Sequence, residues 1–219
     1  MWVPPRPLLA LAAVTAVGAG AGGCGASGYQ YIENDDVGLY AKLPDDWAVY
    51  DETDLFPDES ERERELRSQQ LWVRTFSGAA DADVEASQQI GEDPVGQVVV
   101  QAIGPDDRET FDLRTLRGGG DPARDPMAAQ GQDLGEDLSV TVLSDEPVTF
   151  AGGFSGVHTV FVVQVAGDAT VTDRTAVRNA DTTVMAVFEV SCTARCYRET
   201  HQDEIADIVE SWTIEEVDT

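Results

Sequence analysis

Residues 157–192, VHTVFVVQVAGDATVTDRTAVRNADTTVMAVFEVSC, decide the fold. Gly, Asp and Asn residues divide this stretch into three runs: Val157 to Val165, Val171 to Arg178, and Thr183 to Cys192. Each run is dense in β-branched and aromatic residues. In the last, Val184, Ala186, Phe188, Val190 and Cys192 recur at every second position. Successive strand side chains point to opposite sides of a sheet, so this period predicts strands with one buried face. Turns this short join antiparallel neighbours, because parallel strands need a long crossover. A meander of three strands is therefore expected.

Working outward, the same pattern precedes the meander. Leu138 to Val142, Val148 to Phe150, Leu71 to Phe76, and Gly96 to Ile103 all read as strands. In Val37 to Leu43 every odd position is apolar, which predicts a half-buried strand. Pro44-Asp45-Asp46 then supplies a turn, and Trp47 to Tyr50 resumes the alternation, so a strand-turn-strand unit is expected there. Between these runs, Asp58 to Gln70 alternates Glu and Arg with only Leu66 apolar, the composition of a solvated helical turn or loop. Ser77 to Pro94 is an acidic connection. Asp112 can cap a short helix to Arg117 that Gly118 stops, and residues 118–135, with two Asp-Pro steps, read as a surface loop. Near the C-terminus the period becomes helical. Ile205, Ile208, Val209 and Trp212 fall on one stripe, with Asp203 and Glu204 in the favourable first turn, so this helix should lie across the sheet anchored by Trp212. The expected fold class is α+β, an antiparallel β-sheet flanked by helices, in one domain spanning residues 29–219.

The first residues differ in kind. Arg6 precedes an apolar run from Leu8 to Val17 and small residues from Gly18 to Gly23, and no acid occurs before Glu33. The apolar run is about half the ~20 residues a membrane span needs. A basic start, a short apolar centre and a small-residue end describe a secretory signal peptide. Ala21-Gly22-Gly23-Cys24 resembles the lipobox of bacterial lipoproteins. That resemblance implies a signal peptide at 1–23, cleavage before Cys24, and acylation of Cys24, by palmitate among other chains. Two acyl chains suffice for stable anchoring where one is marginal. Residues 24–28 form a tether that reaches only ~14 Å when extended, so the domain should sit on the outer face of the cell membrane and close to it.

Lipidation of Cys24 leaves Cys192 and Cys196, an even number in an oxidising compartment, and predicts one disulfide. Extended chain would separate their Cα atoms by ~13 Å, beyond the ~7 Å a bridge tolerates, so residues 193–195 must turn back. Redox pairs favour two intervening residues, and zinc would need a second cysteine pair.

The chain carries 14 Lys+Arg against 41 Asp+Glu, a net charge of -27 on 219 residues. Such a charge repels a phosphate backbone, and the basic residues are scattered, so no nucleic-acid partner is expected. Hydrophobic residues at 42% still allow a packed core.

The order of pieces resembles a family of lipoproteins from high-GC Gram-positive bacteria with a PsbP-like fold. The carrying residues are Leu43 to Trp47, Pro94-Val95-Gly96, Gly152 to Val163, Cys192 to Tyr197 and Ile205 to Ile214. The resemblance implies an α/β/α sandwich used for binding or assembly, with an envelope protein or lipid as partner. No cofactor is expected, and the family's metal role is not carried over because no ligand motif matches.

Three patterns compete with that reading. Asp81-Ala82-Asp83-Val84-Glu85, ending at Glu92, places acids where a calcium loop has ligands, but Ala86 stands where its sharp turn requires glycine. Gly153-Phe154-Ser155-Gly156 is similar to a nucleophile elbow, but Val157 replaces the last glycine and a strand follows instead of a helix. A small hydrolase using Ser155 with His158 is the alternative function, and a hairpin turn the simpler explanation. His158 is expected to be a half-exposed strand residue and His201 a polar residue near a helix start. Trp47, Trp72, Phe161, Phe188 and Trp212 are expected in the core, with an apolar pocket as the alternative.

Overall fold

The computed structural model describes residues 28–215, apart from 80, 120, 122, 123, 133 and 136. The expected signal peptide and Cys24 lie outside the described residues, as do residues 216–219. The strands are β1 (Tyr29–Asn34), β2 (Leu39–Pro44), β3 (Ala48–Tyr50), β4 (Leu71–Ser77), β5 (Val95–Ala102), β6 (Leu138–Thr149), β7 (Ser155–Val165), β8 (Asp168–Arg178), β9 (Val184–Thr193) and β10 (Thr213–Ile214). The α-helices are α1 (Glu52–Leu55), α2 (Glu61–Ser68), α3 (Leu113–Arg117), α4 (Pro126–Ala129) and α5 (Gln202–Ser211). Among the described residues no helix is long and apolar enough to cross a membrane.

The strands form a seven-stranded sheet in the order β3-β4-β5-β9-β8-β7-β6 and a three-stranded sheet in the order β1-β2-β10. Every pairing is antiparallel. The meander is found as expected, with β7, β8 and β9 in consecutive register. The α+β class therefore holds, with α5 against one face of the large sheet and α3 against the other.

The main core lies between the large sheet, α5 and the small sheet. Phe76, Val98, Phe188 and Val190 from the large sheet meet Leu39, Ala41 and Leu43 from β2 and Ile205, Ile208 and Trp212 from the C-terminal helix region. Trp212 stacks on Phe188 with ring centroids 5.4 Å apart, which is how the helix anchors itself. Burying a side chain of this size contributes about 2 kcal/mol or more each. Ser211 completes the edge of β2, where β10 pairs only through Thr213 and Ile214: its hydroxyl accepts from the Lys42 N–H at 2.9 Å. On the opposite face, Leu116 of α3 packs with Val157, Ala176 and Val187 in a smaller cluster. That helix is fixed as expected. Asp112 accepts from the Thr115 N–H at 2.9 Å, and Gly118 ends the helix with φ +130°, which a side chain rarely adopts.

Two local expectations are corrected, and a third is met with an added feature. The strand-turn-strand unit at residues 37–50 is present, with the Trp47 N–H donating to the Pro44 carbonyl, but its strands do not pair with each other: β2 joins the small sheet and β3 the large one. The turn is a crossing between sheets because the alternation of both strands fills one shared core from opposite sides. The expected strands at 138–142 and 148–150 are one strand, β6, which ends at Thr149 and has a bulge between Val142 and Ser144. The charged 144–146 stretch stays in the ladder because backbone pairing with β7 does not depend on side-chain hydropathy. The loop 118–135 contains α4, capped by buried Asp125, with Ala129 buried beneath it.

Candidate functional site

The register of the large sheet sorts its residues into transverse rows. On the face that carries α3, Val73, Val99, Val187, Ala176, Val157 and Pro147 align into an apolar row. The adjacent row reads Thr75, Gln97, Glu189, Arg174, Thr159 and Asp145 across the same six strands. The helical elements on this face stand apart, with α1 and residues 86–90 towards one end and α3 towards the other. The gap between them is an open trough whose floor is β-sheet.

One section of the trough encloses about 580 Å³ and is lined by Leu55, Phe56, Leu71, Val73, Ile90 and Val95. A second, of about 560 Å³, lies over Met185 and Val187 beside Gly118 and Gly119. Gln97, Val99 and Glu189 line both, so the two sections adjoin on the sheet face. An apolar floor interrupted by a few convergent polar groups is the usual make-up of a ligand site.

Those polar groups are not mutually saturated. Burial pushes the Glu189 carboxyl above its ordinary range, with Arg174 and Gln97 opposing the shift. Arg174 Nε sits 3.8 Å from the Glu189 carboxylate, too far for a hydrogen bond, and this buried nitrogen has no acceptor among the described residues. Arg174 Nη2 donates to the Leu116 carbonyl at 3.3 Å, which holds the guanidinium against α3. At the far end of the row Asp145 is fully engaged. It takes two bonds from Arg117, at 2.9 and 2.5 Å, and one from the Thr159 hydroxyl at 2.8 Å. Burial works against its ionisation, but these bonds outweigh burial and lower its pKa.

The other face holds a second polar cluster. Asp173, buried in β8, meets His158 Nε2 at 2.6 Å and accepts from the Tyr197 hydroxyl at 2.7 Å. The bond from Asp173 raises the His158 pKa against the effect of burial, and Glu146 adds to the rise. Burial first, then the Asp173 charge, raises that of Tyr197. The cluster ties β7 and β8 to the segment after β9.

The residues singled out by sequence fall as follows. Cys192 and Cys196 are both buried and at bridging distance, with Cα atoms 5.9 Å apart and a helical turn between them. Ser155 opens β7 beside the β6–β7 turn, and strand alternation puts its side chain on the face opposite His158. His158 is committed to Asp173 instead, so the hydrolase geometry is not assembled. In the acidic segment, Asp83 accepts from the Ala86 N–H at 2.7 Å and Glu92 pairs with Arg195 at 3.2 Å. Among the described residues no three potential ligands converge on a metal position. His201 stands before α5 and meets Glu204 at 2.6 Å. Trp47, Phe188 and Trp212 are core residues and Trp72 packs against the core, whereas Phe161 lies on the α3 face. The trough residues Gln97, Arg174 and Glu189 carry no motif in the sequence. Glu189 stands out as the one charged residue of β9, but Gln97 and Arg174 lie among other polar residues of β5 and β8, and only the register aligns the three.

The fold and trough define an α+β protein whose antiparallel sheet carries an open ligand-sized face. No family model and no curated protein matches the chain. Among solved structures, cyanobacterial PsbP from Synechocystis sp. PCC 6803 is similar at 13% identity, covering 88% of this chain and 96% of that one, with a TM-score of 0.49. LpqN of Mycobacterium tuberculosis, described as involved in cell envelope biogenesis, is similar at 14% identity, covering 86% and 91%, with a TM-score of 0.43. Likeness at this level assigns no function to this chain.

Proposed function

We propose that the chain is an extracytoplasmic lipoprotein, anchored through acylated Cys24, whose domain is a non-enzymatic module that binds an envelope partner or lipid in the sheet-face trough. The trough carries this reading. Its apolar floor suits a hydrocarbon body, and the unsatisfied Arg174 Nε beside Glu189 suits a hydrogen-bond acceptor such as an ester, carboxyl or phosphate oxygen. A lipid combines both features, and a protein partner would have to insert an apolar segment bearing one acceptor.

Two measurements test the proposal separately. The full chain, expressed in an acylating bacterial host, should carry acyl mass on Cys24 and partition into detergent, and Cys24→Ala should abolish both. Protein isolated from native membranes should release a bound amphiphile on solvent extraction, identified by mass spectrometry. Val99→Arg, which places a charge on the trough floor, should lose it while still unfolding cooperatively, a lowered midpoint being expected because Val99 packs against the Leu116 cluster. Equal recovery from the two proteins would refute the trough as the site.

A further inference from the structure

The outward face of β1 and β2 gathers three tyrosines and a lysine, with the exposed carboxylate of Glu33 at the end where it pairs with Tyr40. Tyr29 and Tyr31 are 37% and 48% exposed on β1, Tyr31 stacks on Tyr40 of β2 at 5.2 Å, and the Lys42 ammonium sits 3.5 Å from the centre of the Tyr29 ring. Lys42 is the only lysine in the chain; every other basic side chain apart from histidine is arginine. Beside it a cleft of about 330 Å³ runs between β2 and α5, lined by Gly28, Tyr29 and Lys42 on one side and the exposed carboxylates Glu204 and Asp207 on the other. Glu204 shares one of its oxygens with His201. The cleft thus opposes one ammonium to two carboxylates across a space of about ten water volumes.

Its position identifies its occupant. Gly28 lines the cleft and is also where the chain leaves the 24–28 tether, which holds it within ~14 Å of an acylated Cys24. Tyrosine is enriched where one end of a ring can lie among acyl chains and the other in water, at the headgroup level of a bilayer. We infer that this face rests on the bilayer that anchors the protein and that the cleft receives a zwitterionic phospholipid headgroup. The phosphate meets Lys42 and the ammonium meets Glu204 and Asp207, with Tyr29 and Tyr31 in the interface. The inference rests on acylation at Cys24. It also gives the domain a fixed orientation, with the base seated at β1.

The test uses the acylated full chain in phosphatidylcholine vesicles and an amine-reactive ester, with modification of Lys42 read by peptide mass spectrometry. Lys42 should react about tenfold more slowly than in Cys24→Ala mixed with the same vesicles, the change that one hydrogen bond between charged groups produces. An acylated Tyr29→Ser/Tyr31→Ser chain should still float with the vesicles but react at the free rate. The same two changes in Cys24→Ala should leave its unfolding curve in place, which separates loss of contact from loss of fold. Acylated protein that floats yet reacts at the free rate overturns the seating while sparing the anchor. Protein that carries no acyl group overturns both. Protection confined to phosphatidylglycerol vesicles overturns the zwitterionic assignment.

Discussion

Replacing Asp173 by alanine should expose how the C-terminal segment is fastened to the sheet. The side chain is 5% exposed and accepts two bonds, from His158 at 2.6 Å and from the Tyr197 hydroxyl at 2.7 Å. Hydrogen bonds to a buried charged group are worth about 2 kcal/mol each, and the orphaned hydroxyl of Tyr197 adds its own desolvation cost, so the variant should lose about 4 kcal/mol. In a domain of this size that lowers the melting temperature by roughly 10 °C. Urea unfolding followed by tryptophan fluorescence should show a lower midpoint with an unchanged slope. The pH dependence supplies a sharper criterion. The His158 pKa is raised in the folded state, so its contribution is fully present below its unfolded value of about 6.5 and is lost as pH rises through the folded value. The difference between wild type and Asp173→Ala should therefore be largest near pH 6 and shrink towards alkaline pH. A loss below about 1 kcal/mol at pH 6, or a difference that grows with pH, would show that the cluster does not fasten this segment. A double-mutant cycle with Tyr197→Phe should return a coupling of about 1 kcal/mol or more, because the two residues are in contact.

Three further outcomes are expected. Gly96→Ala should destabilise by several kcal/mol or prevent folding, because a Cβ there would enter both the Phe76 ring and the Glu189 carbonyl oxygen; far-UV circular dichroism with urea titration checks it. Reducing the 192–196 bridge should cost only about 2 kcal/mol, since closing so small a loop removes little chain entropy; mass spectrometry of unreduced protein should show that loop lacking two hydrogens, and free thiols would contradict it. Arg117→Met should leave Asp145 buried without its main partner. Because those bonds hold the Asp145 pKa low, their stabilisation is present above the unfolded value and disappears as pH falls through the folded one, so the variant should lose stability at neutral pH and differ less from wild type in acid.

Much of the fold was legible because its strands are amphipathic in a simple way. β2 shows odd-numbered burial at Leu39, Ala41 and Leu43, as its alternation predicts, and α5 buries Ile205 and Ile208 from the predicted stripe. The short α3 was legible for a different reason: Asp112 and Gly118 satisfy local backbone needs that no distant contact alters. The crossing from β2 to β3 was not legible, since alternation says which side of a strand is buried but not which sheet it joins. The continuity of β6 was hidden as well, because its middle is polar and only pairing with β7 keeps it extended. The candidate trough was less legible still. Gln97, Arg174 and Glu189 are separated by up to 92 positions and become neighbours through two independent strand registers.

The alternating strands, the C-terminal helix with its tryptophan anchor, the strongly negative charge, and the motif from which an acyl anchor at Cys24 is proposed can all be read along the chain. These are local properties, set by side-chain period, capping and composition. Folding in three dimensions is what lays one polar row across six strands beside an apolar one, commits His158 to Asp173 instead of Ser155, and sets the lone lysine opposite two carboxylates beside Gly28. Each of these depends on register and layer order, which arise when distant segments bury a shared core and which no single stretch of sequence encodes.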